Sequence, residues 1–104
     1  MPEVAIPVPR TEPVEETEPA VAPRWHVLLH DDDVTTMEFV VWLLVSLFGR
    51  SLDEAVALML EVHETGAAVV CACSQERAEL YVEQVASLAR PRGFPLAASC
   101  EPAG

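Results

Sequence analysis

The chain has 104 residues, which is enough for one modest hydrophobic core and excludes a second domain of ordinary size. Its formal net charge of −11 comes from 17 acidic residues against six arginines, with no lysine, so a nucleic-acid backbone would be repelled. No apolar run approaches the roughly 20 residues that span a bilayer, and the first residues lack the basic and apolar regions of a signal peptide. We therefore expect a soluble, monomeric, cytoplasmic protein that contacts neither nucleic acid nor membrane.

Residues 1–23 have the composition of a disordered arm. They include six of the nine prolines and five glutamates, and their apolar residues follow neither a helical nor a strand period. Such a segment cannot bury enough apolar surface to offset the entropy lost on ordering. The sequence therefore predicts a disordered, acidic, proline-rich arm over residues 1–23 and one folded domain over residues 24–104.

An acidic triplet separates the first predicted strand from the first predicted helix. The apolar run Trp25–Leu29 favours a strand, and residues 31–33, which follow closely, are all aspartates. Thr35 and Glu38 have the spacing of a capping box, in which each side chain accepts a hydrogen bond from the backbone N–H of the other residue. This spacing predicts a helix over residues 36–48.

A second capping box predicts a helical hairpin. Gly49 has the position of a C-cap for the first helix, and Ser51 with Glu54 repeats the capping-box spacing three residues apart. Apolar residues then recur at helical spacing until Gly66, which is expected to end the second helix. The break between the two helices is only a few residues long, so we expect them to pack as a hairpin.

The rest of the chain predicts two strands around a third helix. The short apolar run Ala67–Cys73 favours a central strand, and Ser74 begins an amphipathic helix after it. The segment Phe94–Cys100 favours a last strand at a sheet edge, because Pro95 cannot donate to a ladder. The order β-α-α-β-α-β indicates an α+β fold, a two-layer sandwich with a three-stranded sheet on three helices, and it leaves the strand order open.

The three cysteines show neither redox nor metal-binding spacing. Cys71 and Cys73 alternate on the second predicted strand and would share one face, and Cys100 is distant in sequence. An odd number of cysteines without a CxxC motif is typical of reduced thiols that fill a core.

The acidic triplet at residues 31–33 carries more negative charge than a helix start requires. Adjacent carboxylates repel one another, so a positively charged ligand is one interpretation, although short acidic runs are also typical of solvated turns. His63 lies near the end of the second helix, where a histidine commonly makes a favourable contact with the helix dipole. If the hairpin folds back on the first strand, however, His63 would meet the aspartates.

The same folding would place an apolar cavity beside the carboxylates, with Met37, Val40, Met59 and Val62 as its walls. Methionine suits a pocket that takes several apolar side chains, because its unbranched thioether can repack. The sequence has no nucleophile elbow, HExxH motif or phosphate-binding glycine loop, so it gives hydrolysis little support.

Several stretches of the chain, in order, resemble the ClpS family, whose members are adaptors that pass N-degron substrates to the ClpAP protease. The resemblance covers roughly three quarters of the chain, from about residue 25 to residue 101. The matching stretches are Asp-Asp-x-Thr-x-Met-Glu-Phe-Val at 32–40, Met-Leu-x-Val-His-Glu-x-Gly at 59–66, Ala78-Glu79, Glu83-Gln84-Val85, Ala89-Arg90 and Pro95-Leu96.

This resemblance implies three antiparallel strands with three helices, and a flexible N-terminal arm that engages the ClpA unfoldase. It implies a binding protein without catalytic residues, cofactor or metal, which holds substrates whose first residue is Leu, Phe, Tyr or Trp. The residues implied to bind the α-amino group of the substrate are Asp31, Asp32, Asp33 and His63. The residues implied to line the side-chain pocket are Thr35, Met37, Val40, Met59, Val62 and Leu96, of which Met37 narrows the pocket.

The chain departs from the family pattern at three positions. Asp31 stands where the family usually has asparagine, Thr36 where it often has proline, and Tyr81 where it often has lysine. Glu76 and Glu79 match the positions that the resemblance implies to face the unfoldase.

Two interpretations from other functional classes remain open. A metal-dependent enzyme would use the cluster of Asp31, Asp33 and His63, with His30 as a further candidate ligand, although the glycine pattern of a calcium loop is missing. A pocketless structural interaction domain, like the ribosomal stalk domain that shares this topology, would need none of these side chains for binding.

Overall fold

The computed structural model describes residues 23–104, and the arm predicted over residues 1–23 lies outside that range except for Pro23. The elements in chain order are β1 (Trp25–His30), α1 (Met37–Ser46), α2 (Leu52–Thr65), β2 (Ala67–Cys73), α3 (Gln75–Ala89), a 3-10 turn (Arg90–Arg92) and β3 (Ala97–Pro102). This order confirms the predicted α+β fold. Within residues 23–104, no helix is both long enough and apolar enough to cross a membrane.

Strand β1 lies in the centre of the sheet and pairs antiparallel with both β2 and β3. The prediction that Ala67–Cys73 is a central strand is therefore wrong, because β2 forms an edge. Its apolar composition has other causes. The helices cover one face of β2, and the side chains of Arg50 and Arg24 donate to the carbonyls of Val70 and Ala72, at 2.7 and 2.9 Å. These guanidinium groups protect an edge that has no charged residue of its own.

The hydrophobic core lies between the sheet and the helices. Val27 and Leu29 alternate along β1 and are completely buried, so one face of the sheet packs on the helical layer. All three helices contribute fully buried side chains to the same core: Leu43 and Leu44 from α1, Ala55 from α2, and Ala78, Val85 and Ala89 from α3.

Helix α2 begins and ends where the sequence predicts. The Ser51 hydroxyl accepts from the Glu54 N–H at 3.1 Å, and the Glu54 carboxylate accepts from the Ser51 N–H at 3.0 Å, which completes the capping box. Gly66 ends the helix with a φ of 95°, a conformation that favours glycine. Ser74 caps α3 in the predicted manner by accepting from the backbone N–H of Arg77.

Helix α1 ends earlier than predicted. Leu47 is its C-cap and donates its backbone N–H to the carbonyl of Leu43. The carbonyl of Leu44 accepts from the backbone N–H of Arg50 at 3.0 Å, so the chain leaves the helix in a wider turn. Gly49 lies in this turn, with a φ of 70°, rather than at the end of the helix.

Strand β3 begins at Ala97, whereas the sequence predicts a start at Phe94. The Arg90 guanidinium donates to the carbonyls of Phe94 and Leu96, at 2.9 and 3.0 Å. These bonds hold the intervening segment in a loop, so the ladder with β1 starts only at Ala97. The strand is an edge strand, as Pro95 indicates.

The three cysteines are free thiols, and Cys73 is buried while Cys71 and Cys100 are partly buried. Burial is the main reason that the pKa of the Cys71 thiol is raised and that the pKa of Cys73 is raised to about 12. Such thiols stay protonated at neutral pH and react slowly. Cys71 and Cys73 therefore serve the packing role that the sequence predicts.

Candidate functional site

The turn between β1 and α1 is built around the carboxylate of Asp32. Its Oδ1 accepts from the backbone N–H groups of Val34 and Thr35, at 2.8 and 2.6 Å, and its Oδ2 accepts from the Thr35 hydroxyl at 2.7 Å. The predicted capping box of Thr35 and Glu38 is therefore wrong, because the Thr35 side chain binds Asp32. Asp32 forms an Asx turn, which is a structural role within the loop.

Thr36 caps α1, one residue later than the sequence predicts. Its backbone is extended, with φ −76° and ψ 153°, and its hydroxyl accepts from the backbone N–H of Phe39 at 3.2 Å. The helix therefore begins at Met37. Glu38 does not form the predicted capping box with Thr35, and it lines the cavity described below.

Asp32 is held in its ionised form by the turn that it organises. Desolvation is the largest single influence and raises its pKa, but the hydrogen bonds from Thr35 and Val34, together with the charge of Arg90, lower the pKa below its usual value. A carboxylate that accepts three hydrogen bonds is stabilised as the anion. The negative charge of Asp32 thus supports the turn at neutral pH.

The acidic turn lies against the end of α2. The backbone N–H of Asp31 donates to the carbonyl of Gly66 at 2.9 Å, which ties the turn to the residue that ends the helix. His63, in the last turn of α2, lies with Nδ1 at 3.7 Å from Oδ1 of Asp31. The side chains of His63 and Asp31 are 56% and 35% exposed, so both can reach a ligand. The hairpin therefore folds back on β1 and brings the histidine to the aspartates.

A cavity of about 500 Å³ opens between the acidic turn, the start of α1 and the end of α2. Its lining combines carboxylates and His63 with apolar side chains of the two helices. Its size is in the range of small-ligand pockets in proteins. The predicted site residues that line it are Asp31, Asp32, Asp33, Thr35, Met37, Val40, Met59, Val62 and His63.

Leu96 is the predicted pocket residue that does not line this cavity. It is only 1% exposed, packs in the hydrophobic core, and is fixed by the bond from Arg90 to its carbonyl. Three residues that were not predicted to belong to the site also line the cavity: Val34, Thr36 and Glu38. Their position in the same short turn as the aspartates is the signal that could have identified them.

The arrangement can bind a cation and an apolar group at the same time. Asp31 and Asp33 supply anionic oxygens, and His63 adds a ring nitrogen that accepts a hydrogen bond when neutral. Within the part of the chain that the structure describes, no three His, Cys, Asp or Glu side chains are arranged to hold a metal ion. His30, a candidate ligand by sequence, lies outside the cavity with Nε2 at 2.7 Å from the Ser99 hydroxyl.

The residues predicted to face an unfoldase lie on the outer surface of α3. Glu76 and Glu79 line a shallow groove of about 520 Å³ with Leu80, which is 51% exposed. Tyr81, where the family often has lysine, does not line this groove. Its ring packs against Phe48 with centroids 4.6 Å apart, so it serves the core.

Comparisons with known proteins agree on one family. A family model described as ATP-dependent Clp protease adaptor protein ClpS matches residues 20–99. Two relatives are named ATP-dependent Clp protease adapter protein ClpS. The relative from Desulfatibacillum aliphaticivorans is 48% identical over 93 residues, which are 88% of this chain and 86% of the relative. The relative from Desulforapulum autotrophicum is 42% identical over 92 residues, which are 88% of each chain.

A solved structure is also similar to this chain. It is the structure of Agrobacterium tumefaciens ClpS2 bound to L-phenylalaninamide, with a TM-score of 0.74 and 35% sequence identity. The match covers 77% of this chain and 96% of that chain. The fold described above is therefore also that of a ClpS protein whose structure holds a small ligand.

Proposed function

The chain belongs to the ClpS family of Clp protease adaptors, and from this premise we propose that it binds proteins by an N-terminal Leu, Phe, Tyr or Trp and delivers them to the ClpA unfoldase. The observation that carries the proposal is a cavity whose lining combines acidic side chains and His63 with apolar side chains. We assign Asp31, Asp33 and His63 to a polar end, and the apolar side chains of α1 and α2 to an apolar end. An N-terminal apolar residue presents an ammonium group and an apolar side chain on the same carbon.

The polar end suits an α-ammonium group. Such a group has a pKa near 8 and is mostly charged at neutral pH, with three N–H donors that need acceptors. We assign these acceptors to Asp31, Asp33 and His63. We assign Asp32 to the turn, because its oxygens already accept three hydrogen bonds from Val34 and Thr35.

The apolar end suits one large apolar side chain. Met37, Val40, Met59 and Val62 line it, and burying a Leu or Phe side chain there contributes roughly 1.5 to 3 kcal/mol. Charge-assisted hydrogen bonds at the amine add to this, and the entropy of association is subtracted, so we expect dissociation constants on the order of micromolar. The ligand of the similar ClpS2 structure, L-phenylalaninamide, also combines an amine with an aromatic side chain.

Delivery would use surfaces separate from the cavity. The groove on α3 that contains Glu76 and Glu79 is on a different element from every residue that lines the cavity. We propose that this groove faces the unfoldase and that residues 1–23 form the arm that engages it. The substrate site and the unfoldase-facing surface can then be tested independently.

The proposal is tested with fluorescent peptides that differ only in the first residue. Peptides that begin with Leu, Phe, Tyr or Trp are expected to bind with micromolar constants, and matched peptides that begin with Ser are expected to bind far more weakly. A reconstituted ClpAP reaction then measures degradation of a Leu-initiated substrate with and without the chain. Equal binding of Leu- and Ser-initiated peptides would refute the assignment of the cavity.

Two variants separate binding from delivery. Removal of residues 1–22, or Glu79→Arg on α3, should leave peptide affinity within about threefold, because we assign the arm to the unfoldase and Glu79 does not line the cavity. Both should reduce degradation of the Leu-initiated substrate. Full degradation by both variants would show that the unfoldase docks elsewhere.

A further inference from the structure

The sulfur atoms of the chain occupy two different environments. The chain has three methionines, Met1, Met37 and Met59, and the two that belong to the described residues both line the cavity. Met37 is 45% exposed and Met59 is partly buried. Oxidants in solution can therefore reach the Met37 side chain, which lines the cavity.

The three cysteines that could compete for oxidants are all less exposed than Met37. Cys73 is 8% exposed and Cys71 is partly buried under the helices. Burial, the largest cause, also raises the pKa of both thiols, and peroxides react with thiolates rather than with thiols. Thioether oxidation needs no deprotonation, so these thiols do not shield the methionines at neutral pH.

Oxidation of a methionine in this cavity would change its chemistry. Hydrogen peroxide transfers one oxygen to the thioether, which becomes a sulfoxide, while the peroxide is reduced to water. The sulfoxide is polar and accepts hydrogen bonds, whereas the apolar end of the cavity is built from Val40, Val62 and the methionines. A bound Leu or Phe side chain would then desolvate the sulfoxide oxygen without giving it a donor, which is unfavourable.

We propose that Met37 and Met59 form an oxidation site that switches the cavity off, so that peroxide reversibly prevents the capture of apolar N-terminal residues. The proposal rests on the proposed function of the cavity and adds a regulation to it. The modification is methionine sulfoxidation by a peroxide. Methionine sulfoxide reductases, of which one acts on each sulfoxide epimer, would reverse it.

The test compares the full chain before and after treatment with hydrogen peroxide, followed by a phosphine reductant that reverses cysteine oxidation. Mass spectrometry of peptides locates the added oxygen, and fluorescence anisotropy gives the affinity for a Leu-initiated peptide. We expect oxygen on Met37 first, and an affinity loss of at least about tenfold once both methionines are oxidised. Treatment with both sulfoxide reductases should restore the original affinity.

The control is the double variant Met37→Leu and Met59→Leu, which keeps apolar side chains without the sulfur. Because both residues line the cavity, each protein is compared only with itself before and after peroxide. For the double variant, the ratio of the affinity after peroxide to the affinity before it should stay near one.

The outcomes separate the two proposals. If the untreated chain does not bind the peptide, the proposed function fails. If it binds and full sulfoxidation leaves the affinity unchanged, only the oxidation site fails. A loss that the reductases do not reverse, or an equal loss in the double variant, would also overturn the oxidation site.

Discussion

The two helices of the hairpin begin with similar sequences and different structures. At the start of α2, Ser51 and Glu54 exchange the hydrogen bonds of a capping box, so the capping-box spacing explains the position of both side chains. At the start of α1, Thr35 and Glu38 have the same spacing, but Thr35 binds Asp32 and the cap moves to Thr36. Three adjacent aspartates precede α1, and only one of them is needed to form the turn.

The two helix starts also differ in their relation to the cavity. The start of α2 has one acid, Asp53, besides the capping Glu54, and neither of them lines the cavity. The turn before α1 leaves Asp31 and Asp33 in the lining of the cavity, with Asp31 beside His63. In the function proposed above, Asp31 and Asp33 bind the substrate amine, so substitutions at the two helix starts should have different effects.

The largest effect is expected from Asp32→Ala. The change removes the acceptor for the Val34 and Thr35 hydrogen bonds, so the turn that presents Asp31 and Asp33 would lose its shape. We expect affinity for a Leu-initiated peptide to fall by more than about tenfold, since hydrogen bonds to a charged group are lost.

The matched control lies at the other helix start. Ser51→Ala should lower the free energy of unfolding by about 1 kcal/mol and leave peptide affinity unchanged. Denaturant titration and fluorescence anisotropy measure the two quantities. Comparable affinity losses in both variants would mean that peptide binding follows overall stability rather than the turn.

Met37→Ala is expected to change specificity at the apolar end. Met37 is the first residue of α1 and lines the cavity, where we assign it the role of limiting the space beside the Cβ of the ligand. Wild type should bind Leu at least about tenfold more tightly than β-branched Ile, and the variant should reduce this ratio to a few fold. Anisotropy with matched Leu- and Ile-initiated peptides gives the ratio. An unchanged ratio would remove Met37 from the specificity role.

Asp31→Asn should have a smaller effect on affinity and a clear effect on its salt dependence. Asparagine keeps an acceptor and adds a donor, but it removes a charge that lies close to His63 and, in our assignment, to the ligand ammonium. Because these terms oppose one another, affinity should stay within about tenfold of wild type. The loss of affinity between low and physiological salt should be shallower in the variant. Identical salt slopes would mean that Asp31 does not face the amine.

The smallest effect concerns acid titration of the two helix starts. Hydrogen bonds from the Ser51 backbone are the main cause that lowers the pKa of Glu54, and the pKa of Asp32 is lowered by its turn against desolvation, its largest influence. A lowered pKa in the folded state means that each carboxylate contributes stability that is present above its unfolded-state pKa and is lost as the pH falls through the folded-state value. Carboxyl NMR should therefore give midpoints below the usual 3.8 for Asp32 and 4.5 for Glu54. Midpoints at or above these values would contradict the hydrogen bonds.

Much of the fold was predictable because residues at the helix ends determine where the helices begin and stop. Ser51, Gly66 and Ser74 bound α2, β2 and α3 as predicted, since each residue satisfies backbone groups of its own helix terminus. The edge position of β2 and the late start of β3 were not predictable. The edge position of β2 follows from the strand order, which the sequence left open. The late start of β3 accompanies the bonds from the Arg90 side chain to the carbonyls of Phe94 and Leu96, which sequence spacing does not reveal.

The sequence predicted most of the residues that line the cavity, but it did not predict all of their contacts. Most of the predicted residues line the cavity, since the hairpin brings α2 back to the acidic turn. Leu96 does not line the cavity; it is buried in the core, and its carbonyl accepts from Arg90. The role of Asp32 was missed because two acceptors, Asp32 and Glu38, compete for Thr35, and sequence spacing alone does not rank them.

The measurement that tests the central claim most directly compares one Leu-initiated peptide with its N-acetylated form. Acetylation removes the charge and donors that we assign to Asp31, Asp33 and His63, and it leaves the apolar side chain unchanged. We predict a dissociation constant on the order of micromolar for the free amine and at least about a hundredfold weaker binding for the acetylated peptide. Equal affinities, or flat titrations for both peptides at tens of micromolar, would contradict an amine-binding cavity.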